Sequence, residues 1–254
     1  MCGVNFCFNL FFPKANIQDN HSDERRIAIE KLLPLMNNES IAISDNTLES
    51  YYLPLLEFQA SIFNLDKPIL YKESEGFCLI TSLLIKLDQI FLNFPDFFNS
   101  MWSAIYNVIS AAFHKRPSSV VTTRIPLVME IMRNLLTSLA KASDQKLQHE
   151  PTKIKELVEH SHHFDRLCDH MKKLKDEFAR VTPYFIADMI DILQQVTIYP
   201  VVRSNLMFGL YKLLDVCDSH STDFLSGVLP PGRQEIFKHL FNNYKQYHKY
   251  SGKV

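Results

Sequence analysis

The chain has 254 residues, 46% of them hydrophobic and 22% charged, with a net charge of −1. This describes a globular chain long enough to bury a core, neither a disordered segment nor a simple polycation for nucleic acid. Only six residues are glycine, about a third of the usual share of roughly 7%. That argues against strand-and-tight-turn folds, Rossmann domains and P-loop enzymes, which need glycine where the backbone turns sharply or cradles a phosphate.

The charge is unevenly spread. Residues 1–100 carry 7 basic and 13 acidic side chains, and residues 101–254 carry 20 and 15. In the last 25 residues Arg233, Lys238, Lys245, Lys249 and Lys253 oppose Glu235 alone. The asymmetry predicts two faces with different partners. Five cysteines, with no Cys-x-x-Cys among them, suit the reducing cytosol or nucleus better than a disulfide framework. Val4–Phe12 is apolar but lacks the basic flank and cleavage site of a signal peptide. No apolar run approaches about 18 residues, so no membrane span is expected.

Residues 1–22 show no period and read as an irregular leader. A helix is expected over Asp23–Met36, bent or ended near Pro34. A second is capped by Asp45-Asn46 and runs to Asn64. A third opens at Ser74 and ends near Leu92, with Ile80, Leu83, Leu84, Leu87, Ile90 and Phe91 on one stripe. Asn93-Phe94-Pro95 breaks the chain, and the next helix runs to His114. Arg116-Pro117-Ser118-Ser119 reads as a loop. Val120–Ala142 follows as a long helix carrying Val128, Ile131, Met132, Leu135, Leu136 and Leu139 on one face. Thr182-Pro183 is a cap and first-turn proline. Tyr199-Pro200 ends that helix and opens another to Asp218, striped by Leu206, Leu210, Leu213, Leu214 and Cys217. Leu229-Pro230-Pro231-Gly232 breaks the chain before a last helix, Gln234–Tyr250, striped by Phe237, Leu240, Phe241 and Tyr244.

About nine or ten helices result, in pairs recurring every ~40–47 residues, the length of HEAT or armadillo units. No stretch sustains period-two alternation. The expected class is all-α, an irregular α-solenoid of armadillo- or HEAT-like stacked helices, with an irregular bundle as the alternative. Residues 23–254 are read as one helical-repeat domain behind the leader.

No phosphate-binding, nucleophile-elbow or zinc-protease motif occurs. His160, His162, His163, Cys168 and His170 include good zinc ligands. Their spacing fits no known zinc module, and interleaved charges favour a polar helix face in solvent. Asp188 and Asp191 sit one turn apart, as acid–base carboxylates can. The plainer reading places them on the wet side of a helix whose other side is Phe185, Ile186, Met189, Ile190 and Leu193. No catalytic, cofactor-binding or metal residue is assigned, and no cofactor or small-molecule substrate is expected. The candidate binding surface for RNA or a partner protein is terminal: Arg233, Lys238, Lys245, Tyr247, His248, Lys249, Tyr250 and Lys253. Lysine neutralises phosphate, and aromatic rings can stack on unpaired bases. The plainer reading is a solvated lysine face with tyrosines packed inward.

The run Gly209-Leu210-Tyr211-Lys212-Leu213-Leu214-Asp215-Val216-Cys217-Asp218 is followed by Asp223-Phe224-Leu225. Then come Leu229-Pro230-Pro231-Gly232-Arg233, Glu235-Ile236-Phe237-Lys238 and Tyr244-Lys245-Gln246-Tyr247-His248-Lys249-Tyr250. This order resembles the C-terminal domain of the unhealthy ribosome biogenesis family, the second group of nucleolar pre-ribosomal-associated proteins. Residues 200–254 carry the resemblance as a terminal module. It implies a non-enzymatic nucleolar scaffold in assembly of the large ribosomal subunit and processing of its precursor rRNA. Implied partners are pre-ribosomal particle proteins, among them a sister helical-repeat protein and a DEAD-box RNA helicase; the basic terminal helix makes the precursor rRNA itself a further candidate. Such proteins are much longer, so the chain is expected to be a fragment, a partial gene model or a C-terminal piece. The alternative is an armadillo-like protein adaptor without an RNA role.

Overall fold

The computed structural model describes residues 97–248 together with Leu53, Leu56 and Ala60. The leader over 1–22 and the helices expected over 23–36 and 74–92 lie outside the described residues. Leu53, Leu56 and Ala60, which belong to the helix expected to end at Asn64, are helical, and Leu56 and Ala60 are buried. Among the described residues every named regular element is helical, and no helix there is long and apolar enough to cross a membrane. The chain divides into two compact units between Val120 and Val121.

In the first unit, α1 spans Phe98–Lys115. Met101, Trp102, Ile105, Val108, Ile109 and Ala112 follow the helical spacing and are all buried. The chain's one tryptophan, Trp102, is fully enclosed and stacks on Tyr106 with centroids 6.1 Å apart. Pro117 ends α1, since the residue before a proline is pushed out of helical geometry. The segment expected as a loop is instead a π turn, Pro117–Val121.

The second unit contains α2 (Ile125–Ala142), α3 (Pro151–Lys173), the single turn α4 (Lys175–Phe178) and α5 (Thr182–Gln195). It continues with α6 (Pro200–Leu214), α7 (Ser219–Val228), α8 (Pro231–Asn243) and a π turn, Tyr244–His248. Proline stands in the first turn of five of these helices, at Pro126, Pro151, Pro183, Pro200 and Pro231. Its missing N–H costs nothing there. Proline thus does the punctuation in a chain of 12 prolines and six glycines. It also explains why α2 begins at Ile125 and not near Val120: Pro126 tolerates only the first turn.

The expected stripes of α2 and α5 are buried throughout, as are Leu206, Leu210, Leu213 and Leu214 of α6. Thr182 differs from its expected role. It is the first residue of α5, and its buried hydroxyl donates back to the Phe178 carbonyl at 2.8 Å. The helix expected to run to Asp218 ends at Leu214, because Asp218 caps the next helix, its carboxylate accepting from the Ser221 N–H at 2.7 Å. Leu225 alone is buried in α7.

Contacts between α3 and α6 climb together along both helices. Asn205 donates to Ser161 at 2.8 Å, Gly209 faces Cys168, and Lys172 donates to Asp215 at 2.7 Å. The two therefore run parallel. So do α2 and α5, where Arg133 meets Asp188 at mid-length and the segments leaving both helices meet at Asp144 and Ile198. Two helix–loop–helix pairs, α2–α3 and α5–α6, thus lie side by side with like helices as neighbours. Their loops are clasped: Gln145 N–H donates to Thr197 O at 2.9 Å, Tyr199 N–H to Ser143 O at 3.1 Å and His149 N–H to the Tyr199 hydroxyl at 3.1 Å. These bonds satisfy backbone groups that the helix ends leave over.

Candidate functional site

The terminal surface is built on α8. A column of rings runs along it: Phe237 stacks on Phe241 at 5.7 Å and 15°, and Phe241 on Tyr244 at 5.9 Å and 16°. Phe237 and Tyr244 are buried, while Leu240 and Phe241 are half-buried, so the expected stripe is core at its two ends only. At Tyr244 the helix widens into the π turn.

There the turn meets α6 and α3 around one carboxylate. Tyr244 donates its phenol hydrogen to Asp215 Oδ1 at 2.5 Å, and Lys172 Nζ donates to Asp215 Oδ2 at 2.7 Å. His248 Nε2 lies 3.4 Å from the same Oδ2. The rings of Tyr211, Tyr244 and His248 close over it with centroid separations of 6.0, 5.5 and 5.6 Å. Partial burial alone would raise the Asp215 carboxyl. The hydrogen bonds from Lys172 and Tyr244 outweigh it and hold the group below its ordinary value. Burial, then the bond to this carboxylate, pushes the Tyr244 phenol well up, so it stays a donor.

The candidate surface residues take different places around this node. Arg233 Nε stands 2.6 Å from Asp191 of α5, and Lys238 pairs with Glu235 one turn earlier at 2.8 Å. Lys245 lays its ammonium over the Phe241 ring, 4.3 Å from the centroid. Tyr247 is 69% exposed, and His248 belongs to the Asp215 cluster. Lys249, Tyr250 and Lys253 lie outside the described residues.

The other two constellations resolve into packing. Asp188 pairs with Arg133 of α2 at 2.5 Å and Asp191 with Arg233 of α8. Both carboxylates are half-buried. They fasten α5 to α2 and to α8, each with its own arginine, and share no partner. The histidine-rich stretch is a correction to the solvated-face reading: it does not lie wholly in solvent, since His160 and Cys168 point into the core and His162 is exposed. Burial first, and the charge of His163 second, lower the His160 pKa to about 4. Burial also pushes the Cys168 thiol far up, so it is inert. Among the described residues no three His, Cys, Asp or Glu side chains gather as a metal site.

A sequence profile of the Urb2/Npa2 family matches residues 75–253, well over half of the chain. The chain belongs to the Urb2/Npa2 family. The match reaches far upstream of residues 200–254, which carry the resemblance visible in the sequence. Membership gives this Urb2/Npa2 chain a role in ribosome biogenesis. No solved structure matches it.

Within the Urb2/Npa2 chain, the run from Gly209 to Asp218 acts as a fastening strip. Gly209 admits Cys168, Lys212 donates to Asp165 Oδ2 at 2.8 Å, and Asp215 gathers Lys172, Tyr244 and His248. Sequence reasoning singled out the run but not the jobs of Lys212 and Asp215, whose partners on α3 lie 47 and 43 residues away. The bounds of α3 are not legible in the sequence. Its stripe of Leu157, His160, Ser161, Phe164, Leu167, Cys168 and Met171 has the correct spacing, but His160 and Ser161 interrupt the apolar signal.

Proposed function

We propose that this Urb2/Npa2 chain is a non-enzymatic scaffold in nucleolar assembly of the large ribosomal subunit and in processing of its precursor rRNA. The family match over residues 75–253 carries the reading. The side-by-side helix pairs support an armadillo-like stacked array, a form that offers long surfaces to proteins and extended ligands. The partners on this reading are pre-ribosomal particle proteins, a sister helical-repeat protein and a DEAD-box RNA helicase among them. The terminal surface from Arg233 to Lys253 faces the particle, with Tyr247 as the exposed ring and Lys245 and Lys249 as the cations nearest it in sequence.

The decisive experiment is gradient sedimentation of the tagged protein from cell extract, with and without ribonuclease. Co-migration with large-subunit precursors, collapsing after nuclease, is the expected result. A small, nuclease-indifferent species would remove this reading. One observation favours a protein-adaptor role instead: Arg233, Lys238 and Lys245 already have partners within the chain. On that alternative binding is nuclease-insensitive and weakly salt-dependent, whereas phosphate contacts weaken steeply with salt.

A further inference from the structure

We infer that Asp215 is the positioning residue of the terminal surface: a carboxylate clasp that sets where the Tyr244–His248 turn, and with it Lys245 and Tyr247, is held. The functional half of this inference rests on the scaffold reading above; the structural half does not.

Three observations converge on the clasp. First, Asp215 uses both oxygens: Oδ1 takes the Tyr244 phenol, while Oδ2 takes Lys172 and lies 3.4 Å from His248. Hydrogen bonds to an ionised acceptor are the short, strong ones, about twice the strength of neutral pairs. Second, the turn is a π turn, a rare geometry that recurs at functional sites. It presents Tyr244 and His248 to one carboxylate while leaving Tyr247 69% exposed. Third, the turn packs on α6 through rings, with Tyr211 against both Tyr244 and His248. The directional bonds to Asp215 act on top of that ring packing. Because Lys172 belongs to α3, Asp215 also couples the α3–α6 seam to the turn.

A built-in control lies on the same seam. Asp165 receives Lys212 at 2.8 Å, with side-chain exposures of 21% and 23%, close to the 22% of Asp215. Asp165→Asn removes an ion pair between the same two helices without touching the turn.

The test compares Asp215→Asn, Tyr244→Phe and Asp165→Asn in the full chain by hydrogen exchange, and by binding of a fluorescent single-stranded oligouridine. Asp215→Asn is expected to speed exchange of the amides of residues 244–248 at least tenfold while α2 and α5 keep their protection. Tyr244→Phe should produce a smaller acceleration at the same amides, and decides the matter if Asp215→Asn does not fold. Asp165→Asn should leave them unchanged. Unaltered exchange in the Asp215 and Tyr244 variants, or equal acceleration in the Asp165 variant, would overturn the clasp. Severalfold weaker oligouridine binding confined to the variants that free the turn supports both halves. A freed turn with unchanged binding leaves the clasp standing and counts against an RNA-facing terminal surface.

Discussion

Gly209 on α6 approaches α3 so closely that a Cβ there would lie 3.1 Å from Cys168 Sγ and 3.7 Å from the Asp165 Cα. Glycine in mid-helix normally costs about 1 kcal/mol relative to alanine. Here the contact falls on a fully buried thiol that would have to shift by a few tenths of an ångström, and overpacking a tight core costs about 1–3 kcal/mol. Gly209→Ala is therefore expected to lower stability by about 1 kcal/mol despite its better propensity. In a Cys168→Ala background the same change should become neutral or stabilising, a coupling measurable by denaturant unfolding as a double-mutant cycle. Additive effects would mean that the close approach does not set the residue.

His160 predicts an acid-labile core. Its folded pKa, lowered to about 4 by burial, lies below the ordinary 6.5, so protonation favours the unfolded chain. The stability from keeping it neutral is present above pH 6.5 and lost as pH falls toward 4. The loss is about 2 kcal/mol by pH 5 by linkage. His163, also shifted downward, first by burial, adds in the same direction. His160→Leu should flatten most of the slope between pH 7 and 5 in urea midpoints; a variant as acid-sensitive as the parent would refute the assignment.

The ring column of α8 should show graded sensitivity. Phe237 is 1% exposed, and Phe237→Ala should cost about 3–5 kcal/mol. Leu240 is half-buried, and Leu240→Ala should cost about 1 kcal/mol. Equal shifts in melting temperature would contradict the orientation of α8.

Gln148 has φ 48° in the loop between α2 and α3, the one non-glycine positive φ among the described residues. A side chain there costs roughly 1–2 kcal/mol, and glycine returns about 0.4–1 of that as unfolded-state entropy. Gln148→Gly should thus raise stability by about 0.5–1 kcal/mol. A lowered melting temperature would show that the glutamine side chain makes a compensating contact.

Charge reversal at Lys245 and Lys249 should leave folding nearly intact and weaken particle association in the gradient experiment. Lys245 is exposed, and surface charges contribute within about 0.5 kcal/mol to folding. Unchanged association would take these lysines out of the binding surface.

What was legible in the sequence was what local chemistry dictates. The stripes of α2 and α5 and the starts at Pro183 and Pro200 follow from helical period and from proline's missing donor, which act over a few residues. The helical class was legible for the same reason, whereas the family-like run was legible from its resemblance to a known order of residues. Pro126 and Asp218 carry signals of the same kind, one for the helix start at Ile125 and one for the cap of α7. Other features depended on which segments meet. Whether His160 faces solvent or core, and whether Asp188 and Asp191 share a site or fasten two helices, is set by neighbours 50 or so residues away, with Arg133 lying 55 from Asp188. The value of Asp215 likewise arises from Lys172 and Tyr244, 43 residues before it and 29 after. A carboxylate has the same propensity in any of these settings; only packing in three dimensions gives it a partner, removes its water and makes it a clasp.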